Sequence, residues 1–392
     1  MPHSLEAASR PRMLIIAFSE LVRDPRVKRQ LLTLREDYDI TVVGRGDPNI
    51  DGVRVLSMPT DDRTPALLRK MRYAIRQTSY RLHRYETAYW LLPHIRWAWE
   101  QLSGQEWDIV IANDVDPVPL ANRLAPRVGV VVDLHEFAPR QYDNRPEWVR
   151  TVAPYYDWLV REHVTKAAAT VTVSEGVAAA YREYGLDPAL VRSAAMFAPL
   201  SPTPVGDPIR LVHSGGAARS RLLESMIEAA IRTTTDVTLD LYLVGSDPAY
   251  LRELQQLAEA SDRIRINDAV AFEELVPTLH RFDVGLCMIP PTTFNHMWCL
   301  PNKFFDFLQA RLGIITGPSP EMAGIVEEEG FGMVTDDFEV ESLIRALDAL
   351  EPARVAEWKQ ASDAAAAGYS GERELARFSQ VIDALVVDRR VA

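Results

Sequence analysis

The feature that most constrains this chain is its alternation of short, nearly continuous apolar runs with helical patterns. MLIIAF (13–18), DITVVGR (39–45), WDIVIAND (107–114), GVVVDLHE (129–136) and ATVTVSE (169–175) read as strands. PRVKRQLLTLRE (25–36) reads as a helix, and helical stretches separate the later runs. Val/Ile-rich runs without strict alternation suit parallel strands buried on both faces, joined by right-handed βαβ crossovers. The pattern breaks at PLSPTPVGDP (199–208), where four prolines make a stiff, extended connector. A second series then follows: IRLVHSGG (209–216), LDLYLVGSD (239–247), RIRINDAV (263–270), VGLCMIP (284–290), GIITGP (313–318) and GMVTDD (332–337). The expectation is α/β with two Rossmann-like domains, 13–200 and 209–370, facing a central cleft. A last helix within 371–392 is free to pack back on the first domain. Open parallel sheets bind ligands at the carboxyl ends of their strands, so a cleft protein is expected before any motif is considered.

The chain has 392 residues and a net charge of -12, which argues against nucleic acid as a partner, because phosphate backbones need a basic face. Two cysteines, Cys287 and Cys299, make neither a disulfide framework nor a zinc site. Residues 1–12 are polar and irregular, and the apolar run after them is too short to be a signal or a membrane span. A cytoplasmic protein is expected.

Two stretches of the second domain carry chemistry. In HSGGAARSRLLESMIEA, Gly215 and Gly216 allow a tight strand-to-helix turn, with Arg219 and Arg221 beside it. A helix N-terminus just beyond offers free N–H groups to an anion, so the turn is either a diphosphate cradle or an ordinary connection with surface arginines. In LPNKFFDFLQARLGII (300–315), Pro301 suits the first turn of a helix, and Phe304, Phe307 and Leu308 form its core-facing stripe. Lys303 and Asp306, three apart, share a neighbouring face. They are either a solvated pair or a clamp, the lysine for a phosphate and the carboxylate for the hydroxyls of a ribose. In ANDVDP, Asp114 and Asp116 invite a metal-binding DxD reading, but Pro117 closes a loop there and no metal is expected.

LPNKFFDFLQARLGIITG resembles the PNK-[LF]-[FY]-E-[YF]-x-A-x-G-x-P-[VI] segment of retaining glycosyltransferases of the GT-B fold, in family four, the group 1 type. It is closest in form to that family's PNK-motif branch. RDPRVKRQLLTL resembles the family's DPRV-containing first helix. WDIVIANDVDPVPLANRLA followed by VVVDLHEF is similar to its HAHDxDxLPA … YDSHE pair, and TVTVSEGVAAAYREYG to its VSEGIAE helix start. VHSGG, LYLVGSD and FDVGLCMIP are similar to the strand ends of its second domain. The resemblance runs in order from about 13 to 340. It implies transfer of a sugar from a UDP-, GDP- or dTDP-linked donor to a carbohydrate, lipid-linked or small-molecule acceptor. Configuration would be retained, with neither metal nor cofactor. Residue by residue it implies His135, Lys303 and Arg219 as catalytic. It implies Gly215, Gly216, Gly245, Trp298, Pro301, Asn302 and Asp306 as binding the nucleotide sugar, and Arg23, Asp114 and Glu136 on the acceptor side. Two positions depart from the family's Glu-x7-Glu pattern: Asp306 stands for its second glutamate and Trp298 lies eight residues before it. A sugar-nucleotide epimerase of GT-B architecture and a non-catalytic scaffold subunit are the alternatives.

One further stretch is unusual in composition. From Arg63 to Arg84 there is no Asp or Glu, while Arg69, Lys70, Arg72, Arg76, Arg81 and Arg84 alternate with Tyr73 and Tyr80, and Trp90, Trp97 and Trp99 follow. Three readings fit: an interfacial helix that places the protein peripherally on the inner face of an anionic membrane through 69–99, an aromatic platform for an acceptor sugar, or a solvated helix with its tyrosines packed inward.

Overall fold

The computed structural model describes residues 10–59, 65–245 and 247–391. The irregular start expected for the chain falls mostly on 1–9, outside the described residues. The chain divides into two compact units. One holds the residues up to Val173, Val177–Val191 and those from Leu375 on; the other holds Ser174–Gly176 and Arg192–Glu374. The proline-rich segment therefore belongs to the second unit rather than lying between the two.

The first unit is built on a seven-stranded sheet of β1 (Arg12–Glu20), β2 (Asp39–Arg45), β3 (Arg54–Ser57), β4 (Ile109–Asn113), β5 (Gly129–Leu134), β6 (Ala169–Thr172) and β7 (Ala189–Leu190). Their order is β3-β2-β1-β4-β5-β6-β7, and every pairing is parallel. Met13–Ile16 and Ile109–Asn113 are wholly buried, as the continuous apolar runs require. The last helix, Gly371–Val391, adds Phe378 and Ile382 to the core formed by Met13, Ile15, Val42 and Ile111.

The second unit carries a six-stranded sheet of β8 (Ile209–Gly216), β9 (Val237–Val244), β10 (Ile264–Asp268), β11 (Val284–Cys287), β12 (Gly313–Thr316) and β13 (Gly332–Val334). The order is β10-β9-β8-β11-β12-β13, again all parallel. In each sheet the strand order reverses beside the first strand, at β1/β4 and at β8/β11. Connections there leave to opposite sides and open a crevice at the carboxyl ends.

Each sheet thus has its own switch point. The helix Asn302–Gln309 is fixed near the second one by its apolar stripe. Phe304, Phe305, Phe307 and Leu308 are fully buried, each contributing about 1.5–3 kcal/mol of transfer free energy. Phe307 lies flat on Gly285 of β11, where an added Cβ would sit 2.4 Å from its ring. That contact leaves the first turn of the helix, with Lys303, aimed past the end of β11 toward β8.

Candidate functional site

Each unit holds one polar centre at its switch point. In the first unit it is built from the helix Pro25–Leu34, capped by Asp24, whose carboxylate accepts the Val27 N–H at 3.0 Å. Arg26 and Gln30, one turn apart, face the sheet. Arg26 Nε donates to Asp133 Oδ2 at 2.6 Å, and its Nη2 completes the fork on Oδ1. Gln30 Nε2 donates to the same Oδ2 at 2.7 Å and to Asn113 Oδ1 at 3.1 Å. Asn113 and Asp133 are direct neighbours in the β4–β5 register. Burial works against the Asp133 anion, but the Arg26 and His135 charges outweigh it and hold the carboxyl well below its usual range.

His135 follows β5. Its backbone N–H donates to Asp114 Oδ1 at 3.2 Å, its Nδ1 lies 3.5 Å from Asp114 Oδ2, and its Nε2 lies 3.6 Å from Asp133 Oδ2. That Nε2 is buried and has no hydrogen-bond partner among the described residues. Burial disfavours the imidazolium, yet the two carboxylates prevail and raise its pKa. Asp114 is held in a left-handed conformation, φ 67°, by its own N–H bond to the Asp133 carbonyl at 2.8 Å. Asp116 is pushed up to about 6 by burial and by Asp114. Two pockets of about 190 and 200 Å³ open on these groups, one toward Phe18 and Ser19, the other toward Glu136, Gln141 and Tyr156. Of the residues expected on an acceptor side, Asp114 and Glu136 line this centre. Arg23 is exposed and lies 3.5 Å from Glu20.

In the second unit the centre joins β8 to the helix Asn302–Gln309. His213 is fully buried, and its Nδ1 lies 2.9 Å from the Leu286 carbonyl. A carbonyl only accepts, so Nδ1 carries the proton and Nε2 is left as an acceptor. Lys303 Nζ donates to it at 2.9 Å. Burial, aided by the Lys303 charge, keeps His213 well below its usual range and therefore neutral. Lys303 is in turn lowered to about 8, by burial first and by Arg221 among its charged neighbours. Gly215 has φ 130°, a conformation only glycine takes easily, and a Cβ there would meet Lys303 Nζ at 2.8 Å. The lysine ammonium is therefore laid across bare backbone at the end of β8.

The other expected donor-site residues fall around this pair. Asp306, one turn along the helix, is buried. Pro301 caps the helix, and Asn302 is its exposed first residue. Gly216 is open, with nothing within 4 Å of an added Cβ. Gly245 follows β9 and is closed over by Leu251. Trp298 packs its ring on Gly176, where a Cβ would come within 2.0 Å. Arg219 is not brought to the lysine: its guanidinium sits 4.5 Å over the Tyr250 ring and bonds Glu253 at 2.6 Å. Arg221 is the arginine whose charge acts on Lys303 and His213. Burial pushes the thiols of Cys287 and Cys299 up to about 11 and 12, so both stay protonated at neutral pH.

Sequence reasoning missed His213, Arg26, Gln30 and Asp133. His213 and Gly215 are two apart on one strand and so share a face, and Arg26 and Gln30 are four apart on one helix; both signals were present. Among the described residues, no group of three or more His, Cys, Asp or Glu could hold a metal ion.

Residues 25–193 match the family model described as a glycosyl transferase 4-like domain. No curated protein matches the chain in sequence. Its fold is similar to that of sucrose-phosphate synthase from Thermosynechococcus elongatus: TM-score 0.73 at 13% identity, covering 97% of this chain and 100% of that one. It is also similar to HepE from Anabaena, solved in complex with UDP, with TM-score 0.67 at 12% identity over 95% of this chain and 100% of that one. WaaG, a glycosyltransferase involved in lipopolysaccharide biosynthesis, matches with TM-score 0.61 at 12% identity, over 93% of this chain and 99% of that one. Residues 25–193 thus match a glycosyl transferase 4-like domain, in a chain whose two Rossmann-like units have the fold of GT-B glycosyltransferases.

Proposed function

We propose that the protein is a retaining glycosyltransferase that binds a nucleotide-sugar donor on its second unit, works in the cytoplasm and needs no metal. The observation that carries this is the Lys303 ammonium, held by neutral His213 across the bare backbone of Gly215. A nucleoside diphosphate gains negative charge as it leaves, and a preorganised cation beside backbone N–H groups stabilises that charge. Lys303, with Gly215 and Gly216, takes that task, and Arg221 serves it better than the ion-paired Arg219. Asp306 binds the ribose. HepE has been solved with UDP and with UDP-glucose, which favours a uridine donor here.

Transfer is drawn as a same-face attack. The bond from the anomeric carbon to the β-phosphate oxygen breaks through an oxocarbenium-like state, the acceptor oxygen bonds that carbon from the same side, and its proton passes to the departing phosphate. No carboxylate is assigned as a nucleophile. His135, whose charged form Asp114 and Asp133 favour, is assigned to the donor sugar on the family resemblance. The pockets of about 190 and 200 Å³ beside it take a polyhydroxylated acceptor through Asp114, Asp116 and Glu136.

A melting screen across UDP-, GDP-, ADP- and dTDP-sugars tests the donor assignment. A ligand at a hundred times its Kd stabilises by about 2.7 kcal/mol, and a uridine donor is expected to give the largest shift. No shift with any of the four contradicts the reading. Release of nucleoside diphosphate that requires an added acceptor distinguishes transfer from epimerisation and from a non-catalytic subunit.

A further inference from the structure

The helix Ala66–Arg81 turns the usual pattern inside out. A helix on a protein surface ordinarily buries its apolar stripe and exposes its polar side. Here Ser79 is the helix's buried residue, and Arg72, Arg76, Gln77 and Tyr80 are the half-buried ones beside it. Tyr80 packs edge-on against Tyr155 at 5.1 Å, and Arg76 lies 5.5 Å over Tyr73. The opposite face carries Leu67, Met71, Ile75, Thr78 and Leu82, spaced by four, four, three and four, which at 3.6 residues per turn is one continuous stripe. Leu67 is 72% exposed, Met71 51%, Ile75 47% and Leu82 60%, with Leu68 exposed beside them. Lys70 and Arg81 are exposed along one side of that stripe.

We propose that this face is an interfacial anchor that lies on a bilayer of anionic phospholipid. Two features favour lipid over other occupants. First, the centre of the face is apolar and its margin cationic, which suits acyl chains below and headgroup phosphates beside them. A nucleic acid gains nothing from a Leu/Met/Ile centre. Second, the segment from Arg63 to Arg84 has no acid, in a protein of net charge -12. A second copy of the same face would set cations against cations. A helix of 16 residues reaches about 24 Å along the surface. Among the described residues no helix is long and apolar enough to cross a membrane, so the association is peripheral. This inference stands on the helix face alone and holds whether or not the transferase reading does.

The test is flotation of the full chain with vesicles of phosphatidylcholine, with and without phosphatidylglycerol, at low and high salt. Binding is expected only with phosphatidylglycerol and is expected to weaken with salt. M71E/I75E, whose side chains project from the surface, should retain the melting profile and lose flotation. Each Lys or Arg near an anionic surface contributes about a fivefold factor in partitioning, so K70Q/R81Q should lower it about 25-fold. Failure of the wild-type chain to float overturns the proposal, as does flotation indifferent to both variants. A dimer that M71E/I75E dissociates, with no lipid binding, overturns it in favour of a second copy.

Discussion

Two histidines sit toward the carboxyl ends of two parallel sheets, and their surroundings shift their pKa values in opposite directions. His135 lies between Asp114 and Asp133, whose carboxylates raise its pKa and favour the charged ring. His213 is buried against a carbonyl on one side and Lys303 on the other, and is held neutral. Burial works against the charged ring in both cases, so the sign of the neighbouring charge decides between them. In the first unit Arg26 and Gln30 fix Asp133, which with Asp114 favours the charged form of a ring beside a pocket. In the second the ring gives up its own charge to position another, the Lys303 ammonium.

Breaking the network of the first centre should have the largest effect. Arg26→Met removes the bidentate partner of buried Asp133 and leaves it Gln30 and His135, and removing one partner of a buried pair costs about 3–5 kcal/mol. Urea unfolding should show a loss of that order, and a loss near zero would show that the pair does not hold the helix Pro25–Leu34 to the sheet. Next, His135→Asn keeps a polar side chain but removes the ring that the two carboxylates favour in its charged form. Turnover should fall about 100- to 1,000-fold with donor affinity nearly unchanged. An equal loss in donor affinity would place His135 on the wrong side of the comparison.

Titration separates the centres by sign. Asp133 is depressed below its ordinary carboxyl value of 3.8, so its contribution to stability is present above that value and is lost as pH falls. Lys303 is lowered from 10.5 to about 8, so its buried charge costs stability below about pH 8, and that cost disappears as pH rises to 10.5. Donor binding should run the other way at Lys303, because a diphosphate needs the ammonium. Affinity should fall above pH 8, by up to about tenfold per unit, with proton uptake visible by calorimetry in buffers of different ionisation heat. Affinity flat from pH 7 to pH 10 would exclude Lys303 as the diphosphate contact. The smallest effect is expected at Asp306: Asp306→Glu restores the longer family side chain and should change donor Kd by no more than severalfold, whereas Asp306→Ala should weaken it strongly.

The two sheets were legible because Val/Ile runs buried on both faces cannot be mistaken for half-exposed strands. The strands missed were Arg54–Ser57 and Ala189–Leu190, the two edges of the first sheet, which are short and only partly buried. Other strands were drawn too long. VGLCMIP keeps Met288 and Ile289 buried after the ladder ends at Cys287, because core packing continues into the loop. The segment 63–102 divides into Ala66–Arg81, Tyr85–Trp90 and Pro93–Leu102, with His83 in a left-handed conformation, φ 54°, at the first break and Pro93 opening the third helix. At the site, Lys303 and Gly215 were legible from helix spacing and a glycine pair. Their partner His213 was not singled out, since a histidine inside an apolar strand looks like core until the lysine is placed beside it. Arg219 and Arg221 flank one short turn, and only the fold shows that the first turns to Glu253 and Tyr250.

Calorimetric titration of UDP into the wild-type chain and Lys303→Met tests most directly whether Lys303 is the diphosphate contact. The variant is expected to stay folded, since its charge is a cost to the native state, and to lose UDP affinity by about 100-fold or more, as expected when a desolvated charge pair is broken. Equal affinity in the two proteins would contradict the account.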